Sequence, residues 1–262
     1  MVYIGTSGFS YDDWVGPYYP AGLPRRGWLE YYAREFNTVE VNSTYYAIPG
    51  VRTMEVLTRR VPAGFLFAVK LPRELTHERT ANAAEVFRRF RAVLEPMVAA
   101  GKLGALLAQF PNSFRPDPGA WDHIARLRDL AADLPLVVEF RYVGWVRPET
   151  FERLRRLGVG FCCVDEPQLP GLLPPVAEAT GPVGYVRFHG RNKAKWWKHE
   201  HAYERYDYTY SVEELEEWVP KIRHLASLTE RTFVFANNHF QAQAIQTARQ
   251  LRMLLEEPAP LR

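Results

Sequence analysis

Glu40 and Asn42, Glu139 and Arg141, and Arg187 and His189 form three pairs separated by one residue, each at the end of a short apolar run. In extended backbone, residues i and i+2 project to the same face, so each pair presents two polar groups to one side and Val41, Phe140 or Phe188 to the other. Ser7, Lys70, Gln109, Asp165 and Asn237 stand at the ends of further runs of the same kind.

Together these residue types suit acid–base chemistry on a small anionic molecule. The guanidinium forks of Arg141 and Arg187, with the Lys70 ammonium, match carboxylate or phosphate oxygens. Glu40 or Glu139 would act as general acid or base, tuned by burial and cationic neighbours. His189 would be a second proton-transfer group, and Asn42 and Asn237 would orient the substrate. Ser7, with Trp196 and Tyr208 from a later loop, completes the expected contacts. Hydrolysis, isomerisation and lyase chemistry all fit a phosphorylated sugar-like or nucleotide substrate.

Three other readings compete. Glu40, Glu139, Asp165 and His189 could hold divalent manganese, zinc or magnesium. Lys70, Arg141 and Arg187 would repel such an ion, so the metal-independent reading is preferred and no cofactor is expected. Glu40 and Glu139 could also serve a two-carboxylate glycosidase, although nothing in the sequence sets their separation. A structural ion-pair network would balance Glu40, Glu139 and Asp165 against Lys70, Arg141 and Arg187. Charges converging from several strands exceed what closing a core requires, because buried charge is costly unless paired.

These side chains need a scaffold that brings strand ends together. Eight apolar, β-branched or aromatic runs qualify as strands: 2–6, 38–42, 65–70, 104–109, 136–141, 159–165, 183–189 and 232–237. Helical patterns lie between them at 28–35, at 83–97 (Val86, Phe87, Phe90, Val93 and Leu94 on one face) and at 124–130. Pro148 opens a helix that Gly158 ends, and Ser211 to Glu214 is a capping box leading into Leu215, Trp218, Val219 and Ile222. A last helix is expected from Asn238 or His239 through Leu255. Alternating strands and helices imply a parallel sheet, and eight repeats close it into a single (β/α)8 barrel over 1–262, with its chemistry at the C-terminal strand ends. Gly5-Thr6-Ser7-Gly8 is too short for the dinucleotide fingerprint of an open doubly wound sheet.

The loop 190–211 is long enough to be a lid or binding loop. It carries Trp196, Trp197, Tyr203, Tyr206, Tyr208 and Tyr210, interleaved with Lys193, Lys195 and Lys198. That mixture also fits single-stranded nucleic acid, but Glu200, Glu204 and Asp207 dilute the charge, so this reading ranks below the enzyme. The alternative for the tyrosines is packing the loop onto the barrel rim.

Composition agrees with a globular chain: 262 residues, 47% hydrophobic, 24% charged, net charge +3. No apolar run is long enough to span a bilayer and no secretory leader is visible, so a cytoplasmic location is expected. Cys162 and Cys163 are neighbours facing opposite sides of a strand, which reads as two small buried hydrophobes. No heptad or exposed apolar stripe fixes an oligomeric state.

Several segments resemble the YecE-like family, also called the domain of unknown function 72 family. They are Ile-Gly-Thr-Ser-Gly-Phe-Ser-Tyr-Asp-Asp-Trp, Phe-Asn-Thr-Val-Glu-Val-Asn-Ser-Thr-Tyr-Tyr, Phe-Ala-Val-Lys-Leu-Pro, Val-Glu-Phe-Arg, Tyr-Val-Arg-Phe-His-Gly-Arg-Asn, Tyr208-Thr209-Tyr210-Ser211 and Asn-Asn-His-Phe. The resemblance implies a (β/α)8 barrel and a shared strand-end site at Glu40, Asn42, Lys70, Glu139, Arg141, Arg187, His189 and Asn237, and implies no reaction. One departure stands out: a glycine is expected shortly after Asn-Asn-His-Phe, where this chain has Gln241-Ala242-Gln243.

Overall fold

The eight apolar runs form strands because their β-branched and aromatic side chains pack on both faces of one sheet. In the computed structural model, which describes residues 1–256, the strands are β1 (Val2–Thr6), β2 (Thr38–Val41), β3 (Leu66–Lys70) and β4 (Leu103–Gln109). They continue with β5 (Leu136–Glu139), β6 (Gly160–Asp165), β7 (Val183–Phe188) and β8 (Arg231–Ala236). Every pairing is parallel, in the order β1-β8-β7-β6-β5-β4-β3-β2. The chain is a single, nearly closed (β/α)8 barrel, as its alternation predicts.

The seam between β1 and β2 is closed by a side chain rather than a ladder. Only a bridge between Ser7 and Glu40 joins the two strands directly, supported by the Gly8 N–H donating to the Glu40 carbonyl at 2.8 Å. Below it, the buried Tyr32 hydroxyl accepts from the Thr6 N–H at 2.9 Å and donates to the Thr38 carbonyl at 3.0 Å. Gly5 permits this approach, since a Cβ there would lie 2.2 Å from the Thr38 carbonyl oxygen. At the lower end, Tyr3 stacks on Phe233 at 5.2 Å and fills the barrel.

The helices are α1 (Trp28–Tyr32), α2 (Val51–Arg59), α3 (Arg73–Thr76), α4 (Ala83–Ala99), α5 (Pro118–Ala131), α6 (Pro148–Leu157), α7 (Val212–Glu216), α8 (Val219–Leu228) and α9 (Gln243–Glu256). The Pro148 start, the Gly158 stop and the Ser211 capping box all occur as expected, with Gly158 left-handed at φ 65°. Three features depart from the sequence reading. Helix α2 was not expected, although Val51, Met54, Leu57 and Thr58 recur along one side at helical spacing, with Met54 and Thr58 buried and Leu57 packed against the core. Among the described residues no helix joins β6 to β7, where Pro167, Pro170, Pro174, Pro175 and Pro182 remove N–H donors and block helical φ/ψ before each of them. The last helix begins at Gln243 rather than at Asn238 or His239, since Gln241 and Ala242 take positive φ of 47° and 63°. No described helix is long and apolar enough to cross a membrane.

Candidate active site

On β7, residues of one parity point into the barrel. The Tyr185 hydroxyl donates to Glu40 Oε2 at 2.6 Å, across the barrel from β7 to β2. Two residues on, Arg187 divides its fork between two strands, with Nη2 2.7 Å from Glu40 Oε1 and Nη1 2.6 Å from Glu139 Oε2. Its Nη2 also donates to Ser7 Oγ at 3.3 Å. The other Glu139 oxygen meets Arg141 Nη2 at 2.6 Å and His189 Nε2 at 3.1 Å. Arg141 Nη1 then reaches Glu166 Oε2 at 3.1 Å. The result is an alternating chain, Glu40–Arg187–Glu139–Arg141–Glu166, whose carboxylates are fully buried.

Buried charge survives only where pairing offsets desolvation. Burial alone would raise the Glu139 carboxyl, but Arg141, Arg187 and His189 outweigh it and hold its pKa well below the usual range. His189 is driven down to about 3 by burial and by Arg141, so its ring is neutral. The Asn237 amide lies 3.0 Å from His189 Nδ1, which as acceptor leaves the ring proton on Nε2, facing Glu139. Burial raises Glu166 to about 7, against the pull of Arg141 and the Leu173 N–H.

Above this floor lies a cavity of about 640 Å³ at the C-terminal strand ends. Of the predicted residues, Glu40, Asn42, Lys70, Arg141, Arg187 and Asn237 line it. Half-buried Lys70 sits at its wall, Nζ 2.9 Å from Gln109 Oε1 and 4.3 Å from the centre of the Tyr45 ring. Among the described residues no carboxylate lies within ion-pair distance of that amine. Burial lowers Lys70 to about 7; Arg187 and Arg141 add to the effect, while Glu139 and Glu40 oppose it. Three buried polar atoms of lining residues have no partner among the described residues: Asn42 Oδ1, Arg187 Nε and His239 Nδ1. A smaller chamber of about 260 Å³ shares Gln109, Arg141 and Tyr206 as a partition and is walled beyond them by His77 and Trp196. A cavity of about 770 Å³ also opens at the N-terminal strand ends, around Val2, Ile4 and Phe36, away from the ion chain and at the face barrels use for stability.

Not every predicted residue reaches the mouth. Asp165 is one position out of phase and faces the helical layer, where it accepts from Tyr210 Oη at 2.6 Å, Trp218 Nε1 at 2.7 Å and the Arg191 guanidinium at 2.7 Å. The proposed metal quartet is therefore not assembled: Asp165 points away, and Glu40 and Glu139 are spent on arginines. Among the described residues, the carboxylate and imidazole donors that gather are Glu200, His201 and Glu204, in the loop, with Glu204 already paired to Lys195 at 2.7 Å. Tyr208 lies outside the mouth cavity, its hydroxyl 2.5 Å from Glu214 Oε1. His189 and Ser7 support the floor without lining the cavity. Trp196 is buried in the wall of the small chamber, its ring 6.5 Å from that of His189. The loop tyrosines divide accordingly: Tyr208 and Tyr210 hold the loop to the rim, and Tyr206 faces the mouth.

The sequence reading missed Glu166 and Tyr185. Both were within reach of the parity argument. Glu166 follows Cys162 and Val164 on the inward face of the sixth strand, and Tyr185 precedes Arg187 and His189 on the seventh. His77, Tyr206 and His239, by contrast, come from loops and short turns whose direction no periodicity encodes.

Residues 3–261 match the family described as Protein of unknown function DUF72. The chain belongs to this family. The UPF0759 protein YunF of Bacillus subtilis (strain 168) is 31% identical over 271 residues, covering 98% of this chain and 95% of that protein. The UPF0759 protein YecE of Escherichia coli (strain K12) is 29% identical over 130 residues, 48% of this chain and 44% of its own length. Among solved structures, the DUF72 family protein TM1631 of Thermotoga maritima MSB8 superposes with a TM-score of 0.90 at 40% identity, covering 98% of this chain and all of that one. The DUF72 protein EF0366 of Enterococcus faecalis V583 superposes with a TM-score of 0.87 at 25% identity, over the full length of both chains. The fold of this DUF72 protein is thus shared with solved members of its family. None of those names carries a reaction, so a function has to be argued from the site.

Proposed function

We propose that this DUF72 barrel is an enzyme whose acid–base groups at the C-terminal mouth act on a small anionic substrate. The observation that carries the reading is Lys70, an amine without a carboxylate partner among the described residues, at the wall of a cavity of about 640 Å³. Arg187 Nε and Asn42 Oδ1 are further unpartnered polar atoms of that cavity. An anion entering there meets Lys70 first and the outer edges of Arg141 and Arg187 next. Its charge raises the Lys70 pKa, so binding and proton uptake are linked. Glu40 lines the cavity with its oxygens held by Arg187 and Tyr185, and it transfers a proton once a bound substrate displaces one of those contacts. Glu139, with both oxygens engaged, and His189, neutral and engaged at both ring nitrogens, position Arg141, Arg187 and Asn237 around the substrate. Trp196 and Tyr206 belong to a loop that covers the mouth.

Titration with inorganic phosphate at fixed ionic strength, followed by melting temperature, tests the anion site. A ligand of the folded state adds about 2.7 kcal/mol at a hundredfold excess over its dissociation constant. The expected result is a saturable rise in the wild type that Lys70→Met abolishes, with a ligand-free melting temperature at neutral pH no lower than that of the wild type. A wild-type protein that does not respond to phosphate overturns the reading.

A further inference from the structure

Resting on that reading, we propose that Lys70 is a nucleophile that forms an imine with the carbonyl carbon of a small oxo acid bound in the mouth cavity. Four observations support it. Lys70 ends β3 with its amine at the wall of the cavity, so an incoming carbonyl can approach from the open side. Its hydrogen-bond partner is a neutral acceptor, Gln109 Oε1, to which a free amine can still donate and which adds no charge to hold the ammonium. The Gln109 amide is held in that orientation by Nε2 donating to the Phe110 carbonyl at 2.7 Å. The charged groups that face Lys70 are Arg187 and Arg141 on one side of the balance and Glu139 and Glu40 on the other, and the two arginines are locked in ion pairs, so Lys70 is the cation that gives up a proton. Nearby His77 is itself pushed down to about 4, by burial first and Lys70 second, and does not compete as a cation near neutrality.

The step balances without a further reactant. The Lys70 nitrogen lone pair adds to the carbonyl carbon, the C–O π bond breaks, and the nitrogen proton passes to the oxygen to give a carbinolamine. Loss of that hydroxyl with the remaining nitrogen proton releases one water and leaves the C=N bond. A proton taken up from solvent makes the iminium, whose charge takes the place of the lysine ammonium opposite Glu40 and Glu139. The substrate carboxylate is matched by the free Nε of Arg187, and a hydroxyl by Asn42 Oδ1. An iminium withdraws electrons from the neighbouring carbon, which favours proton loss there, to Glu40 once the substrate carboxylate has drawn Arg187 from it.

Competitive labelling with a limiting amount of glyoxylate and cyanoborohydride decides the matter. Glyoxylate is the smallest aldehyde bearing a carboxylate, and reduction fixes any imine as an adduct of the aldehyde mass less one oxygen. Besides Lys70 the chain has Lys102, Lys193, Lys195, Lys198 and Lys221, which serve as internal controls for peptide mapping. At neutral pH a lysine of ordinary pKa holds roughly one free amine in a few thousand, against about half for Lys70, so its reactive fraction is about a thousandfold larger. The expected result is labelling of Lys70 ahead of the other five, with a rate that levels off above pH 7 and is suppressed by phosphate. Lys70→Arg is expected to lose the adduct yet keep the phosphate-induced rise in melting temperature. Labelling spread over Lys193, Lys195, Lys198 and Lys221 without preference for Lys70 overturns the imine. If phosphate still stabilises the wild type in that case, the anion site stands without it; if phosphate also fails, both fall together.

Discussion

Arg187 is the keystone of the barrel mouth, and replacing it with methionine tests the energetics of the ion chain. The guanidinium makes contacts of 2.7 and 2.6 Å to Glu40 and Glu139, both without solvent exposure. Methionine keeps much of the volume and removes the charge. Glu139 would retain Arg141 and His189, whereas Glu40 would keep only the Tyr185 hydroxyl, so one buried carboxylate rather than two is left uncompensated. Breaking a buried pair in this way costs about 3–5 kcal/mol. For a chain of this size that corresponds to a melting-temperature loss of roughly 6–20 °C. The exposed Arg88–Glu85 pair is equally short at 2.6 Å, yet Arg88→Ala is expected to change stability by less than about 1 kcal/mol. Urea unfolding at about pH 7 and about pH 4 then checks the electrostatic origin. In the wild type the folded Glu139 pKa is depressed, so its contribution is present above the unfolded value of 4.5 and is lost as pH falls below it. In Arg187→Met one of the cations that depress Glu139 is gone, so less stability is lost on acidification. The gap between the two proteins therefore narrows on acidification. A loss below about 1 kcal/mol at neutral pH, or the same loss at both pH values, refutes the view that charge pairing holds this floor together.

Four further outcomes are expected. Tyr32→Phe removes the hydroxyl that joins Thr6 to Thr38 and leaves two buried backbone groups unbonded; a loss of about 1–3 kcal/mol by urea unfolding, with faster hydrogen exchange at the Thr6 amide, would bear this out. Ala242→Gly relieves a non-glycine residue at φ 63°, and thermal unfolding should show a gain of up to about 1 kcal/mol; a loss would mean the alanine methyl packs more than it strains. Glu166 is raised from 4.5 to about 7 by burial, so its protonated form favours folding below 4.5 and that advantage disappears as pH rises through 7. Lys70 is lowered from 10.5 to about 7, so the wild type regains stability between 7 and 10.5, where the unfolded chain binds the extra proton. Measured against Glu166→Gln the wild type should therefore lose stability from 4.5 to 7, and against Lys70→Met it should gain from 7 upward.

The strands were legible because a buried parallel sheet demands continuous apolar runs, and all eight lie within a few residues of their expected bounds. The helices were legible only where one face is apolar or the ends are punctuated. The β6–β7 crossover contains no helix among the described residues, so there was none to read, whereas α2 carries Val51, Met54, Leu57 and Thr58 at helical spacing over only nine residues and was within reach of the periodicity argument. The glycine missing after Asn-Asn-His-Phe had a consequence that sequence could anticipate in kind but not in place. Gln241 and Ala242 adopt the left-handed backbone a glycine takes freely, and the last helix is delayed to Gln243.

For the site, parity carried more information than residue type. Residue type alone put Asp165 with Glu40 and Glu139, and that grouping produced the metal quartet. The register pairs Val164, not Asp165, with Arg187, so the acidic residue on the inward face of this strand line is the next one, Glu166. A shift of a single residue thus exchanges a carboxylate that pins the loop through Arg191, Tyr210 and Trp218 for one that ends the buried ion chain. The same logic separates the three predicted cations. Arg141 and Arg187 share a strand-end layer with the glutamates and are consumed by them, whereas Lys70 lies beside Gln109, which offers no charge. Local charge balance, more than the number of basic residues at the mouth, therefore leaves Lys70 as the amine open to a ligand. That distinction is what favours the proposed ligand site over a self-satisfied core network.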